Sequence, residues 1–168
     1  MKKFKEILPY IIVIVAVILL RQFIITPIQV VGTSMNPILI DGELMLLNKI
    51  TYKFNDIEWF DIVVVDYSDE PLIKRVIGLP GEKVEYRGNK LYINDEEVLE
   101  NFKTNGETDD YDIAESGHTR IPKDMYFVVG DNRINSADSR IIGLINKKMI
   151  LGKANFVLYP FNKFGVIK

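Results

Sequence analysis

The chain of 168 residues contains no cysteine. That excludes disulfides, thiolate chemistry and cysteine-ligated zinc. It fits any redox compartment, so location must be read from other features. Histidine is almost missing as well. His118 stands alone in a polar stretch, so a histidine-based metal site or a Ser-His-Asp triad would rest on that one residue. An excess of one charge is also lacking: the net charge is −2, which gives no electrostatic footprint for nucleic acid. Beyond the first 25 residues there is no long amphipathic helical pattern, and there is no repeat or low-complexity tract. No metal, no cofactor and no nucleic-acid partner is expected. A chain of this length is expected to form one main domain.

The N-terminus is the compositional outlier. Ile7 to Leu20 is apolar apart from Pro9 and Tyr10; Arg21 and Gln22 interrupt the run, and Phe23-Ile24-Ile25 resume it. As a helix, residues 7–25 would span about 28 Å, close to the ~30 Å hydrocarbon core of a bilayer. Pro9 falls in the first turn, where a missing N–H costs little. Arg21 lies where a long side chain can snorkel to the interface. A cleavable leader is the competing reading, but no Ala-x-Ala site follows the run. Lys2, Lys3 and Lys5 precede it, opposed by Glu6 alone, and the positive-inside rule puts that end in the cytoplasm. The expected organisation is a cytoplasmic end over residues 1–6, a transmembrane anchor over 7–25 and an extracytoplasmic domain over 26–168.

After the anchor the pattern changes to short strands rich in β-branched and aromatic residues. They are expected at 28–31, 43–48, 61–67, 72–78, 83–87, 90–94, 125–129 and 153–159, separated by turn signals such as Asp41-Gly42, Pro80-Gly81 and Gly130-Asp131. Arg87-Gly88-Asn89-Lys90 between two alternating runs predicts a hairpin. The fold class is therefore mainly β and antiparallel. Residues 101–120 are polar and acidic and read as an exposed loop; about 95–122 is expected to be a short variable insertion.

Three distant segments carry candidate chemistry. Gly32-Thr33-Ser34-Met35-Asn36-Pro37 offers a serine on a tight turn. Lys74-Arg75-Val76-Ile77-Gly78-Leu79-Pro80-Gly81 offers a lysine in an apolar strand. Gly130-Asp131-Asn132-Arg133 with Asn135-Ser136-Ala137-Asp138-Ser139-Arg140 offers paired charges and small hydroxyls. Strand alternation puts Leu72, Lys74 and Val76 on one face and Ile73, Arg75 and Ile77 on the other. Desolvation between aliphatics disfavours an ammonium, so the Lys74 pKa is expected to fall from ~10.4 to about 8, with repulsion from Arg75 adding to the shift. A neutral lysine can take the proton of a serine attacking an amide carbonyl. Taken singly, each segment has an ordinary alternative: a lysine with its stem on apolar surface, a turn, a solvated charged face.

Taken together and in this order behind an anchor, the segments resemble the bacterial type I signal peptidases, the membrane-bound serine–lysine proteases that remove signal peptides. The resemblance covers nearly the whole chain. It implies a signal-peptidase-type catalytic domain, an antiparallel β-sheet with barrel-like character, in the bacterial cell membrane. It implies Ser34 as nucleophile and Lys74 as general base, with Ser136 orienting the lysine amine. Asp138 and Arg140 would pair to hold their loop, and Asp131 would help position the Lys74-Arg75 region. His118 matches no motif. Two positions depart from the commoner family pattern. Gly32 stands where some members carry an oxyanion-hole serine, so a second donor must come from backbone N–H or elsewhere, beside the Ser34 N–H. Ile38 stands where threonine is common.

The partners implied are signal peptides of exported preproteins and membrane lipid. The substrate would lie as an added strand beside the nucleophile and lysine segments, with small pockets for Ala-like residues at −1 and −3 from the cut. Ile28, Val30, Leu72 and Val76 are candidates for lining such pockets or for the core. Trp59-Phe60 and the aromatics of 156–164 are candidates for the membrane interface. Rival readings are a serine–lysine peptidase dedicated to one secretion or pilin substrate, and a catalytically silent membrane-anchored interaction module.

Overall fold

The computed structural model describes residues 2–68 and 70–167; side chains are described from residue 7 onward, Glu70 excepted. Helix α1 (Lys2–Phe23) leads into strands β1 (Ile25–Gln29), β2 (Leu44–Asn48), β3 (Ile62–Tyr67) and β4 (Glu70–Gly78). Next come β5 (Val84–Arg87), β6 (Lys90–Ile93), β7 (Glu96–Val98) and β8 (Tyr111–Asp112). The chain ends through β9 (Met125–Val129), β10 (Ile145–Asn146), β11 (Ile150–Tyr159) and β12 (Gly165–Val166). Two four-residue helices, α2 (Thr51–Phe54) and α3 (Ser139–Ile142), interrupt the loops.

The strands form two sheets. The larger runs β1-β2-β11-β3-β4-β9-β10, with β12 added against β11. The smaller runs β7-β6-β5-β8. Every named strand pairing is antiparallel, so the mainly β expectation agrees with the structure. The barrel-like expectation does not. The large sheet is an open path whose end strands, β1 and β10, do not pair. At two residues β10 is also too short to carry a closing ladder.

The central strands are buried on both faces, which is why they read as unbroken apolar runs rather than alternations. Val64 of β3 packs with Met35, Leu47 and Ile73 on one side of the sheet. Val63 and Val65 pack with Val76, Tyr126 and Val128 on the other. A third cluster, around Ile77, Tyr86, Ile113, Ile121 and Phe127, joins the small sheet to the large one. Of the pocket candidates, Val30 and Val76 belong to the core, at 3% and 0% exposure. Ile28 and Leu72 are half-buried against it.

α1 differs from every other element. It has no face turned to a core: the described side chains from Ile7 to Leu20 are all exposed. Among the described residues no helix is long and apolar enough to cross a membrane. Lys2, Lys3, Lys5 and Glu6, on which the expected orientation rests, have side chains outside the described residues. The end of α1 is tied down. Thr26 Oγ1 donates to the Arg21 carbonyl at 2.8 Å and the Lys49 N–H to the Ile24 carbonyl at 2.9 Å.

Candidate active site

The turn after β1 brings Ser34 beside the middle of β4. Antiparallel pairing sets Lys74 opposite Val63, so its stem crosses the aliphatic face expected from alternation. Its Nζ donates to Ser34 Oγ at 2.7 Å and to the Ile73 carbonyl at 3.1 Å. Lys74 is 2% exposed, while Ser34 is half-buried at the site's open side. Burial pushes the Lys74 pKa down to about 8, and the negative charges of Asp138 and Asp131 act the other way. The expected value agrees, but one expected cause does not contribute. Arg75 is held by Asp131, with Nε–Oδ1 at 2.8 Å and Nη2–Oδ2 at 2.7 Å, so its charge is met by a two-point carboxylate pair.

The loop after β9 closes the other side. Asp138 is fully buried and accepts from Arg140 Nε at 2.9 Å, from Arg140 Nη2 at 2.8 Å and from the Gly130 N–H at 3.0 Å. Burial works against its charge, but the Arg140 bonds and the Gly130 N–H outweigh it and hold the carboxyl below the usual carboxylate range. Gly130 is where this loop meets the Ser34 turn. A Cβ there would overlap both the Ser34 carbonyl oxygen and Ser136 Oγ, so only glycine permits the approach.

Of the residues implied by resemblance, Ser34, Lys74, Asp131, Asp138 and Arg140 converge on one site. Ser136 is beside them, but its buried Oγ makes no hydrogen bond to the Lys74 amine; its hydroxyl instead favours the Asp138 carboxylate, whose charge it helps to hold. His118 is exposed in the loop before β9. The Gly32 N–H donates to Asp41 Oδ1 at 2.7 Å, so that backbone donor is already engaged.

Sequence reasoning gave no role to Asn132 or Arg133, although both stand in the quoted motif. The Asn132 N–H donates to the Ser34 carbonyl at 2.9 Å, and its Nδ2 to the Thr33 carbonyl at 3.0 Å. Arg133 is 4% exposed and binds Glu100, Thr108 and Tyr86 of the small-sheet region as well as the Gly130 carbonyl. No local signal in the sequence pairs Glu100 or Thr108 with a residue more than 20 positions away.

A family model described as "Signal peptidase, peptidase S26" matches residues 4–159. Signal peptidase I of Bacillus amyloliquefaciens is 40% identical over 164 residues, covering 94% of this chain and 89% of that protein. Signal peptidase IB of Staphylococcus aureus (strain COL) is 40% identical over 179 residues, covering 95% and 93%. The crystal structure of a signal peptidase I from Enterococcus faecalis V583 matches with a TM-score of 0.54 and 35% identity, covering 59% of this chain and 97% of that one.

Proposed function

The chain belongs to the peptidase S26 family of signal peptidases and is a serine peptidase that cleaves signal peptides from preproteins; on that premise we propose that Ser34 is its nucleophile and Lys74 its general base. The observation that carries this reading is the 2.7 Å contact between Ser34 Oγ and an amine that is 2% exposed and bonded to no carboxylate among the described residues. In the neutral form, the Lys74 amine accepts the Ser34 proton as Oγ bonds to the scissile carbonyl carbon. The resulting ammonium returns that proton to the amide nitrogen as the C–N bond breaks. Water, deprotonated by the same amine, then attacks the acyl ester and frees Ser34.

Charge builds on the carbonyl oxygen in both steps, and the Ser34 N–H is the assigned donor to it. Gly32 supplies no hydroxyl and its N–H is bonded to Asp41, so a second donor must come from another group. Asp131 positions the lysine strand through Arg75. Asp138 and Arg140 shape the loop that carries Ser136. For Ser136 to orient the base as the resemblance implies, its hydroxyl would turn from the Asp138 side to the Lys74 amine.

α1 serves as the membrane anchor, with residues 26–168 as an extracytoplasmic peptidase domain. The apolar side chains of α1 from Ile7 onward are exposed and find no partner among the described residues, and lipid is a solvent that would satisfy them. Substrates are extended signal-peptide segments with small residues before the cut.

Purified protein in detergent, mixed with a preprotein carrying an Ala-x-Ala site, is expected to release the mature chain. Ser34→Ala and Lys74→Ala should each lower kcat by a factor of at least about 10³. Cleavage at the wild-type rate by either variant would refute the dyad. No cleavage by the wild type would favour the silent interaction module.

A further inference from the structure

Residues 100–108 read as part of an exposed insertion, yet they form a strap across the catalytic loop. The Asn105 N–H donates to the Asp131 carbonyl and the Arg133 N–H to the Asn105 carbonyl, both at 2.9 Å. This is an isolated parallel bridge between Asn105 and Asn132. The strap is fixed at both sides of that bridge. Glu100 holds the Arg133 guanidinium, with Oε1–Nη2 at 2.6 Å and Oε2–Nη1 at 3.1 Å, and Thr108 Oγ1 accepts from Arg133 Nη1 at 2.8 Å. Gly106 has φ +78 and lies so close to Ile134 that a Cβ would overlap it.

The side chains at the bridge form a directional chain of bonds. Asn105 Nδ2 donates to Asn132 Oδ1 at 3.1 Å. Asn132 Nδ2 then donates to the Thr33 carbonyl at 3.0 Å, while the Asn132 N–H donates to the Ser34 carbonyl at 2.9 Å. An amide has one donor end and one acceptor end. By occupying the acceptor end of Asn132, Asn105 leaves only the donor end to face the nucleophile turn.

We propose that Asn105 is a positioning residue for the Ser34 turn, acting through the amide orientation of Asn132. The inference rests on Ser34 being the nucleophile. Asn105 touches no reacting atom. Its effect is to keep two donors of Asn132 on consecutive carbonyls, those of Thr33 and Ser34. This holds the turn, and so Ser34 Oγ, in register with Lys74.

This arrangement separates positioning from bulk stability through the order of two substitutions. Asn105→Ala removes the donor and leaves Asn132 free to stay as it is. Asn105→Asp replaces the donor with an acceptor. The Asn132 amide must then rotate to donate to it, which turns Oδ1 against the Thr33 carbonyl. Asn105 is exposed, so neither change opens the core.

The test measures preprotein cleavage by wild type, both Asn105 variants and Ser34→Ala, on the full chain in detergent. Rates are taken on the high-pH plateau, so a change in Lys74 ionisation does not enter, and melting temperatures are taken in parallel. Asn105→Ala is expected to lower kcat by about 10-fold and Asn105→Asp by about 100-fold, the size that small misplacement of a reacting group produces. KM should change little, and the two variants should melt alike. Equal kcat in both variants, or losses that track melting temperature, would overturn the proposal. Full activity in both variants with Ser34→Ala inactive would overturn it while leaving the nucleophile assignment intact. Activity in Ser34→Ala would remove the reading on which it rests.

Discussion

At the scale of single residues, the decisive quantity is the ionisation of Lys74. Its folded-state pKa of about 8 lies below the ordinary 10.5, because burial opposes the ammonium more than Asp138 and Asp131 favour it. Between those two values the unfolded chain binds a proton that the folded one does not. The folded state therefore carries the full cost of the buried charge below pH 8 and is relieved as pH rises toward 10.5. Lys74→Met keeps the length and removes the charge. It is expected to raise the free energy of unfolding at pH 7 by up to about 3 kcal/mol, while abolishing cleavage. In denaturant titrations the gain should disappear above pH 10.5, and no gain at pH 7 would contradict the assigned desolvation. Arg75 presents the opposite case. It is buried next to Lys74 but matched by Asp131, and breaking such a pair generally costs about 3–5 kcal/mol. The fall in the Lys74 pKa was legible from Leu72 and Val76 on its own face of the strand. That Arg75 would not add to it was not legible, because Asp131 lies 56 residues away.

At the scale of elements, the strands that build the site could be read from the sequence because each is a dense β-branched or aromatic run. β9 coincides with the expected 125–129, and β3 and β4 agree within two residues. The Gly88-Asn89 hairpin joins β5 to β6, with Arg87 opposite Lys90 as expected. β1 begins earlier than expected, at Ile25, because α1 passes into it through a single turn residue, Ile24. The small sheet's outer parts were not legible. β7 is Glu96-Glu97-Val98, with one apolar residue, and β8 is two residues long. The stretch 101–120 gave no periodicity because its anchors are isolated: Tyr111 and Ile113 reach the core singly, among acids. The strap function of residues 100–108 was hidden for the same reason. Its bonds join the backbone of Asp131 and Arg133, the Asn132 amide and the Arg133 guanidinium, partners about 25–33 positions away that no local pattern announces.

At the scale of the whole molecule, the structure joins an apolar helix to a peptidase domain through a short, bonded junction. Thr26 Oγ1 and Lys49 Nζ donate to the Arg21 and Gln22 carbonyls at the end of α1, and β1 starts two residues after it ends. Ser34 is the fifth residue after the end of β1, and that stretch fully extended reaches about 18 Å. If α1 is in lipid, the dyad is held near the membrane surface, where a signal peptide emerges. Phe161 and Phe164, 80% and 60% exposed, remain available to that interface, whereas Phe60 packs against Phe102. The full chain expressed in a bacterial host is expected to stay in the membrane pellet after alkaline carbonate extraction. Its peptidase domain should be digested by protease added to the outer side. Release into the supernatant, or protection from external protease, would contradict the anchor or its orientation.

The central claim, that a neutral buried lysine activates Ser34, is tested most directly by the pH dependence of kcat/KM for preprotein cleavage. Activity is expected to rise with pH through an apparent pKa near 8, as the Lys74 ammonium loses its proton, and then to level off. A profile that stays flat between pH 6 and 10, or that falls as pH rises through 8, would contradict it.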